Sequence, residues 1–208
     1  IIATGSASPE EILCVTFTNK AAKEMESRIY GVLSQIGAVV SQPLWISTFH
    51  SFCVRILRAH ITLMDYKTGF SIFDSGDQLS QIKKVMFNLN INDKIHPAKA
   101  FQSRISTAKM MGLNPDNVQK SKGLAIMDAK SLEVYTVYEA EMKKNNALDF
   151  DDLLLKTYEL IQMYPEILDQ LQKKLRYIMV DEYQDTNHIQ YLLVRKLAQA
   201  HRNLCVVG

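Results

Sequence analysis

Residues 177–187, Tyr-Ile-Met-Val-Asp-Glu-Tyr-Gln-Asp-Thr-Asn, decide the fold. The apolar run Tyr177 to Val180 stops at two adjacent carboxylates, Asp181 and Glu182, and a third, Asp185, follows within one turn. Apolar residues return at Ile189, Leu192, Leu193 and Leu197 with helical spacing. The pattern predicts a buried strand that runs into a loop and then a helix. In parallel α/β sheets, chemistry gathers at the carboxyl ends of the strands. Two acids left there are costly unless a cation meets them. The usual cation is Mg²⁺, a hard ion that takes one or two carboxylates together with phosphate oxygens and water. The competing reading is a helix N-terminus decorated with acids, which the macrodipole favours. The strand before the pair and Gln184-Asp185-Thr186 after it favour a nucleotide-metal site.

Working outward, Ile12 to Phe17 is a short apolar run preceded by the turn residues Ser8-Pro9-Glu10-Glu11. Thr18 and Asn19 are predicted caps, and the following helix places Ala22, Met25, Ile29 and Leu33 on one face. Residues 37–43 read as loop and Trp45 to Thr48 as a second strand. Phe49-His50-Ser51 then leads into a helix carrying Phe52, Ile56, Leu57 and Leu63. From about 64 to 176 the strand signals vanish, and amphipathic helices are predicted over 77–89, 97–110, 129–145, 150–163 and 165–175. The strand 177–180, the acid loop, a further helix and a strand over 203–207 resume the α/β pattern. A helical block interrupting an α/β one predicts a helical domain, 51–176, inserted into a split parallel-sheet domain made of 1–50 and 177–208.

With 208 residues, 47% of them apolar and 22% charged, the composition is that of an ordinary globular chain, and no apolar run is long enough to span a bilayer. The net charge of +2 is too small to argue for nucleic acid by itself. Lys94, Lys99, Arg104, Lys109, Lys120 and Lys122, against Asp116 alone, make a local basic stretch that fits either phosphate contact or a solvated helix face. Cys14 and Cys205 lie in apolar runs and read as buried thiols; with Cys53 the count is odd and no Cys-x-x-Cys occurs, which suggests a reducing, intracellular setting. The opening Ile-Ile-Ala-Thr-Gly reads as the last turn of a helix with Gly5 as its stop. The closing Leu-Cys-Val-Val-Gly208 reads as a strand without its loop, so the sequence is expected to be a piece of a longer protein.

Thr16-Phe17-Thr18-Asn19-Lys20 puts hydroxyls, an amide and an ammonium at a strand-to-helix turn, which suits phosphate contact. Phe17 is core or a base-stacking platform. Ser47-Thr48-Phe49-His50-Ser51 repeats that logic at a second strand end, with His50 read as either a contact or a capping or core histidine. Leu148-Asp149-Phe150-Asp151-Asp152-Leu153-Leu154 surrounds a Phe with acids at a helix start, where capping by Asp149 or Asp151 is favoured over metal binding.

The ordered runs ILCVTFTNKAAKEM, WISTFHSFCVRILR, LDFDDLL and YIMVDEYQDTNHIQYLLVRKLA resemble the UvrD/PcrA/Rep group of superfamily 1 DNA helicases over essentially the whole chain. The resemblance implies an incomplete RecA-like, P-loop NTPase parallel-sheet domain interrupted by an all-helical insert. It implies that Asp181 holds the Mg²⁺ of Mg-ATP, that Glu182 positions or activates the attacking water, and that Gln184 couples nucleotide state to DNA. Phe17, Thr18, Asn19 and Lys20, headed by Thr16, resemble the single-strand contact motif. Thr48 and His50 resemble the next one, and Lys109 sits where the family's insert approaches duplex backbone. The implied partners are single-stranded DNA and the junction with duplex, with no membrane. The implied setting is the bacterial cytoplasm, in repair or replication, with 3′ to 5′ movement. The family's Gly-rich phosphate loop and second motor domain do not occur in the sequence, so it is expected to bind ATP poorly, to hold no cofactor tightly and to lack ATPase. Rival readings are the motor part of a helicase-nuclease subunit and a non-catalytic, degenerate DNA-binding motor.

Overall fold

The computed structural model describes residues 1–38, 40, 43–120 and 127–208. Part of the expected 37–43 loop and Lys122 of the basic stretch lie outside the described residues. The chain groups into two compact units, one made of Ile1–Arg55 and Leu160–Gly208, the other of Ile56–Glu159.

The first unit is built on four parallel strands, numbered along the chain: β1 (Ile12–Thr16), β2 (Trp45–Thr48), β5 (Tyr177–Val180) and β6 (Leu204–Val206), in the order β2-β1-β5-β6. Every residue of β1 is buried. Ile12 and Cys14 pack on one face with Leu33 of α1 (Asn19–Gln35). On the other face Leu13 and Val15 meet Phe49 and Phe52 of α2 (Phe49–His60) and Leu193 and Leu197 of α9 (His188–Ala198). A strand covered on both faces needs apolar side chains at every position, which is why β1 reads as a continuous run rather than an alternation. Helix α8 (Pro165–Lys174) completes this unit against α9. Gly5, at φ 68°, ends the opening turn, with Gly5 N–H donating to Ile2 O and Ser6 N–H to Ile1 O, the bond pair of a glycine-stopped helix end.

The second unit holds α3 (Ser75–Asn88), α4 (Ala98–Met110), α5 (Pro115–Lys120), α6 (Ala129–Lys144) and the start of α7 (Phe150–Met163). Ile82, Met86, Phe101, Ile105, Tyr135 and Tyr138 form the heart of its core. It also contains a parallel strand pair, β3 (Ser71–Phe73) with β4 (Ala147–Asp149), so the expectation that strands vanish between 64 and 176 is corrected. Three residues are too few to show an alternating pattern, and the pairing joins segments distant in sequence. The short α5 escaped notice for the same reason of length.

At the junction of α4, α6 and α7 lies a buried ion cluster. The Lys109 ammonium, 0% exposed, stands 2.7 Å from Glu139, 2.8 Å from Asp149 and 2.6 Å from Asp152. Tyr138 Oη and Gln78 Nε2 also donate to Asp149 Oδ2, at 2.9 and 3.0 Å. Asp149 Oδ1 accepts from Asp152 N–H and Asp152 Oδ2 from Asp149 N–H, a reciprocal cap on α7. Burial alone lowers an ammonium's pKa, but the three carboxylates outweigh it and hold Lys109 well above its ordinary value. Burial, with Asp149 and Glu139 beside it, raises Asp152.

The expected capping by Asp149 is therefore present, but the acids of 148–154 have a second task that the local pattern did not disclose. Lys109 cannot serve as a duplex contact in this arrangement, because its ammonium is wholly buried among carboxylates. Arg104, likewise, is bonded to Asp128 and Ser131, so the basic stretch is not one continuous cationic surface. Replacing Lys109 by Met leaves Asp149 and Asp152 buried without a cation, Glu139 keeping Lys156 at 3.4 Å, and is expected to destabilise the chain by about 3–5 kcal/mol. Denaturant unfolding of the variant beside the parent chain checks this; a change under about 1 kcal/mol would show that the cluster does not hold the unit together.

Candidate functional site

Parallel pairing determines which side chains meet. Thr16 lies opposite Thr48 in the β1–β2 ladder, and Val15 opposite Val180 in the β1–β5 ladder. The carboxyl ends of β2, β1 and β5 therefore share one edge of the sheet. Asp181 N–H donates to Val15 O at 3.0 Å, carrying the ladder one residue past β5, and Val207 N–H donates to Val180 O at 2.9 Å from the other side. The two acids leave the sheet from a point held by both neighbouring strands.

Glu182 then takes φ 53° and ψ 41°, the left-handed region. For a residue with a Cβ this costs of order 1–3 kcal/mol and persists only where the surroundings dictate it. It turns the chain off the strand into a short 3₁₀ turn, Tyr183–Asp185, which Thr186 closes by donating its N–H and hydroxyl to Tyr183 O at 3.1 and 2.7 Å. Asn187 starts α9 as a reciprocal cap with Gln190, both bonds 3.0 Å. Within Asp181–Asn187, the last two residues thus build local structure, whereas the side chains of the first two take no part in it. Asp181 is partly exposed and Glu182 exposed, and neither enters an ion pair among the described residues.

Both acids line a cavity of about 400 Å³ bounded also by Cys14, Met179, Cys205 and Met25 of α1. Burial pushes the Cys14 thiol up to about 11, so it contributes a neutral, apolar surface. Cys205 is exposed, against the expectation of a buried thiol, because β6 has a strand neighbour on one side only among the described residues. No cluster of three or more His, Cys, Asp or Glu side chains able to cage a metal occurs among the described residues. One or two unpaired carboxylates without a closed cage is a donor set that suits Mg²⁺ completed by phosphate and water rather than an all-protein site.

Along the same edge, Thr16 is fully buried and its hydroxyl has no hydrogen-bond partner among the described residues. Thr18 caps α1, its Oγ1 accepting from Ala21 N–H at 3.1 Å. Thr48 Oγ1 donates to Ser51 Oγ at 2.9 Å and accepts from Ser51 N–H at 3.1 Å, so it shapes the start of α2. Phe17, partly buried, meets Phe49 edge to face with ring centres 5.7 Å apart. Asn19 and Lys20 are exposed in the first turn of α1. His50 is partly buried, and burial lowers its pKa. The exposed Gln184 lies against Gly208, where its side chain leaves no room for a Cβ. The sheet edge brings Thr16 and Thr48 beside Asp181, with Phe17 to Lys20 and His50 in the segments that follow, whereas Lys109 belongs to the second unit. Phe49, the ring partner of Phe17, was not singled out by sequence; only the ladder, which puts Thr16 opposite Thr48, brings the residues that follow them together.

No helix among the described residues is long and apolar enough to cross a membrane. The family described as UvrD/REP helicase N-terminal domain matches residues 1–208. The chain is 44% identical over 208 residues, all of its length, to the ATP-dependent DNA helicase PcrA of Bacillus subtilis, covering 28% of that protein. It is 44% identical over 204 residues to PcrA of Staphylococcus epidermidis and 43% over 201 residues to PcrA of Staphylococcus aureus, in each case covering 97% of this chain and 27% of the relative. The chain thus spans little more than a quarter of the length of the curated relatives it matches. With four parallel strands, acids at the end of β5 and a match over every residue, the chain belongs to the UvrD/REP helicase N-terminal domain family.

Proposed function

We propose that the chain is part of the first motor domain of an ATP-dependent DNA helicase. In this reading the unit of Ile1–Arg55 and Leu160–Gly208 forms a partial RecA-like domain of the P-loop class, Ile56–Glu159 forms its insert, narrower than the 51–176 expected from sequence, and the partners are single-stranded DNA and its junction with duplex. The observation that carries the reading is the unpaired Asp181-Glu182 pair, with Glu182 held left-handed at the end of β5 beside the hydroxyl-bearing ends of β1 and β2. Mg²⁺, when bound with ATP, neutralises the charge on the phosphates undergoing transfer.

Asp181, fixed by its backbone bond to Val15, is the carboxylate that would hold the metal. Glu182 accepts a hydrogen bond from the attacking water, orients it and takes its proton. Gln184, one short turn further on, is placed to report phosphate loss toward the DNA-contacting segments. Phe17 to Lys20, with His50, hold single-stranded DNA, while Thr16, fully buried, and Thr48, bonded to Ser51, set the strand ends from which these segments leave. Exposed Asn19 and Lys20 meet phosphate at the N-terminus of α1, and Phe17, steadied by Phe49, offers a ring to a base. His50, kept neutral near pH 7 by burial, acts as a hydrogen-bonding group and not as a counter-charge. Movement is 3′ to 5′, in the cytoplasm, in repair or replication.

The sequence holds no Gly-x-x-x-x-Gly-Lys-[Ser/Thr] loop, so the 208-residue chain alone is expected to show no measurable ATP turnover. In the longer protein that carries this chain and that loop, Glu182→Gln is expected to lower DNA-stimulated ATP hydrolysis by about 10²–10⁴-fold while nucleotide binding persists. Equal steady-state rates for the two proteins would remove Glu182 from the reaction. Phe17→Ala in the same protein is expected to weaken single-strand binding by about 1–3 kcal/mol without changing its salt dependence. His50→Gln should likewise leave the salt slope unaltered, because no charge is lost. Titrations of fluorescent oligonucleotide at several salt concentrations test both, and unchanged affinity for Phe17→Ala would return that ring to a packing role.

A further inference from the structure

The unit Ile56–Glu159 has a cavity that none of the chemistry above uses. It measures about 660 Å³, within the range of roughly 300–1,000 Å³ usual for small-ligand sites. One wall is a single face of α4, with Lys99, Gln102, Ser103 and Ser106 recurring at three- and four-residue spacing. Phe73 and the Phe150-Asp151 pair also line it. The wall is braced: Gln102 Nε2 donates to Ser75 O and to Gln78 Oε1, both at 2.8 Å, and Gln78 in turn bonds to the buried Asp149.

Asp151 is the distinctive group. Its neighbours Asp149 and Asp152 both pair with Lys109, but Asp151 enters no ion pair among the described residues. Burial raises its pKa, and a hydrogen bond from Ser106 only partly offsets this. A partly buried carboxylate without a cation calls for N–H donors. The half-exposed ring of Phe150 adjoins it in the chain, and Lys99 adds an ammonium to the same wall.

We propose that this cavity takes a guanine base. The Watson–Crick edge of guanine presents adjacent N1–H and N2–H donors that match the two oxygens of one carboxylate, here Asp151, with O6 left for Lys99. Phe150 and Phe73 supply the apolar surfaces for the ring faces. Adenine turns an unprotonated ring nitrogen toward the carboxylate and is rejected, because two acceptors then face each other without a proton. Free guanine nucleotide and an unpaired guanine in single-stranded DNA carry the same edge. Binding here involves neither the carboxylates Asp181 and Glu182 nor the segment Thr16 to Lys20.

The test uses the 208-residue chain and isothermal titration with GMP, AMP and two short oligothymidylates, one carrying a central guanine. GMP is expected to bind at least about tenfold more tightly than AMP, and Asp151→Asn to remove that preference by about tenfold. Phe150→Ala is expected to weaken GMP about tenfold without changing the GMP-to-AMP ratio. Tighter binding of the guanine-bearing oligonucleotide than of the one without guanine identifies the DNA base as the source, and equal binding of the two oligonucleotides beside preferred binding of GMP identifies the free nucleotide. Equal affinity for GMP and AMP, no heat with either, or an Asp151→Asn variant that folds with an unchanged unfolding midpoint and keeps the preference would each overturn the proposal.

Discussion

Everything at the candidate site depends on the parallel ladder of β2, β1, β5 and β6. Parallel strands run the same way, so all their carboxyl ends arrive at one edge, and the segments that follow leave from that edge. The registers Thr16 opposite Thr48 and Val15 opposite Val180 then decide which following residues become neighbours. No side-chain contact assembles Asp181, Thr16 and Thr48; backbone hydrogen bonds do. This is also why β1 must be apolar throughout. The central position that brings Thr16 beside both other strand ends leaves neither of its faces in water.

Just past that edge the chain departs from regular geometry, and it does so at Glu182. Left-handed backbone in a glutamate is unfavourable by itself, so it is the surroundings that impose it: bonds from Asp181 to Val15 and from Tyr183 to Val207 fix the chain on either side, and the Thr186 and Asn187 caps fix where α9 begins. A glycine would relieve the backbone and lose the carboxylate. The strain thus falls on an exposed acid that enters no ion pair among the described residues.

Much of this was legible in the chain. The strand-loop-helix reading of 177–197 needed only an apolar run of four, a polar break and a return at helical spacing, and the limits of β2, β5 and α7 agree with the sequence expectation. The likeness carried by four ordered motifs is matched by a family covering all 208 residues. What escaped were features made by contacts between distant segments. The β3–β4 pair joins residues 71–73 to 147–149 and has no period to betray it. Cys205 looked buried because its neighbours are apolar, but apolar sequence cannot say how many strands flank it. The partnership of Phe17 with Phe49 requires the ladder first.

Lys109 is the instructive case, since its sequence neighbours point the wrong way. Six cationic residues between 94 and 122 suggest a surface, and a surface residue has no need of a partner. In the fold the α4 face that carries Ile105 and Ala108 turns inward and takes Lys109 with it, so the ammonium loses its water and must be repaid in carboxylates. They come from α6, β4 and the start of α7, segments far enough from α4 in sequence that nothing local to Lys109 discloses them. An apolar replacement of the whole cluster could pack as tightly, so hydrophobic burial alone does not explain it. What apolar contacts lack is direction. Glu139, Asp149 and Asp152 reach one ammonium from α6, β4 and α7, while Asp149 and Asp152 also cap each other's backbone, so α4, α6 and α7 meet in one rotational setting. The same setting places Asp149 and Asp152 in the cluster and leaves Asp151, between them in sequence, lining the cavity. The acid without a cation is thus defined by the two that share one.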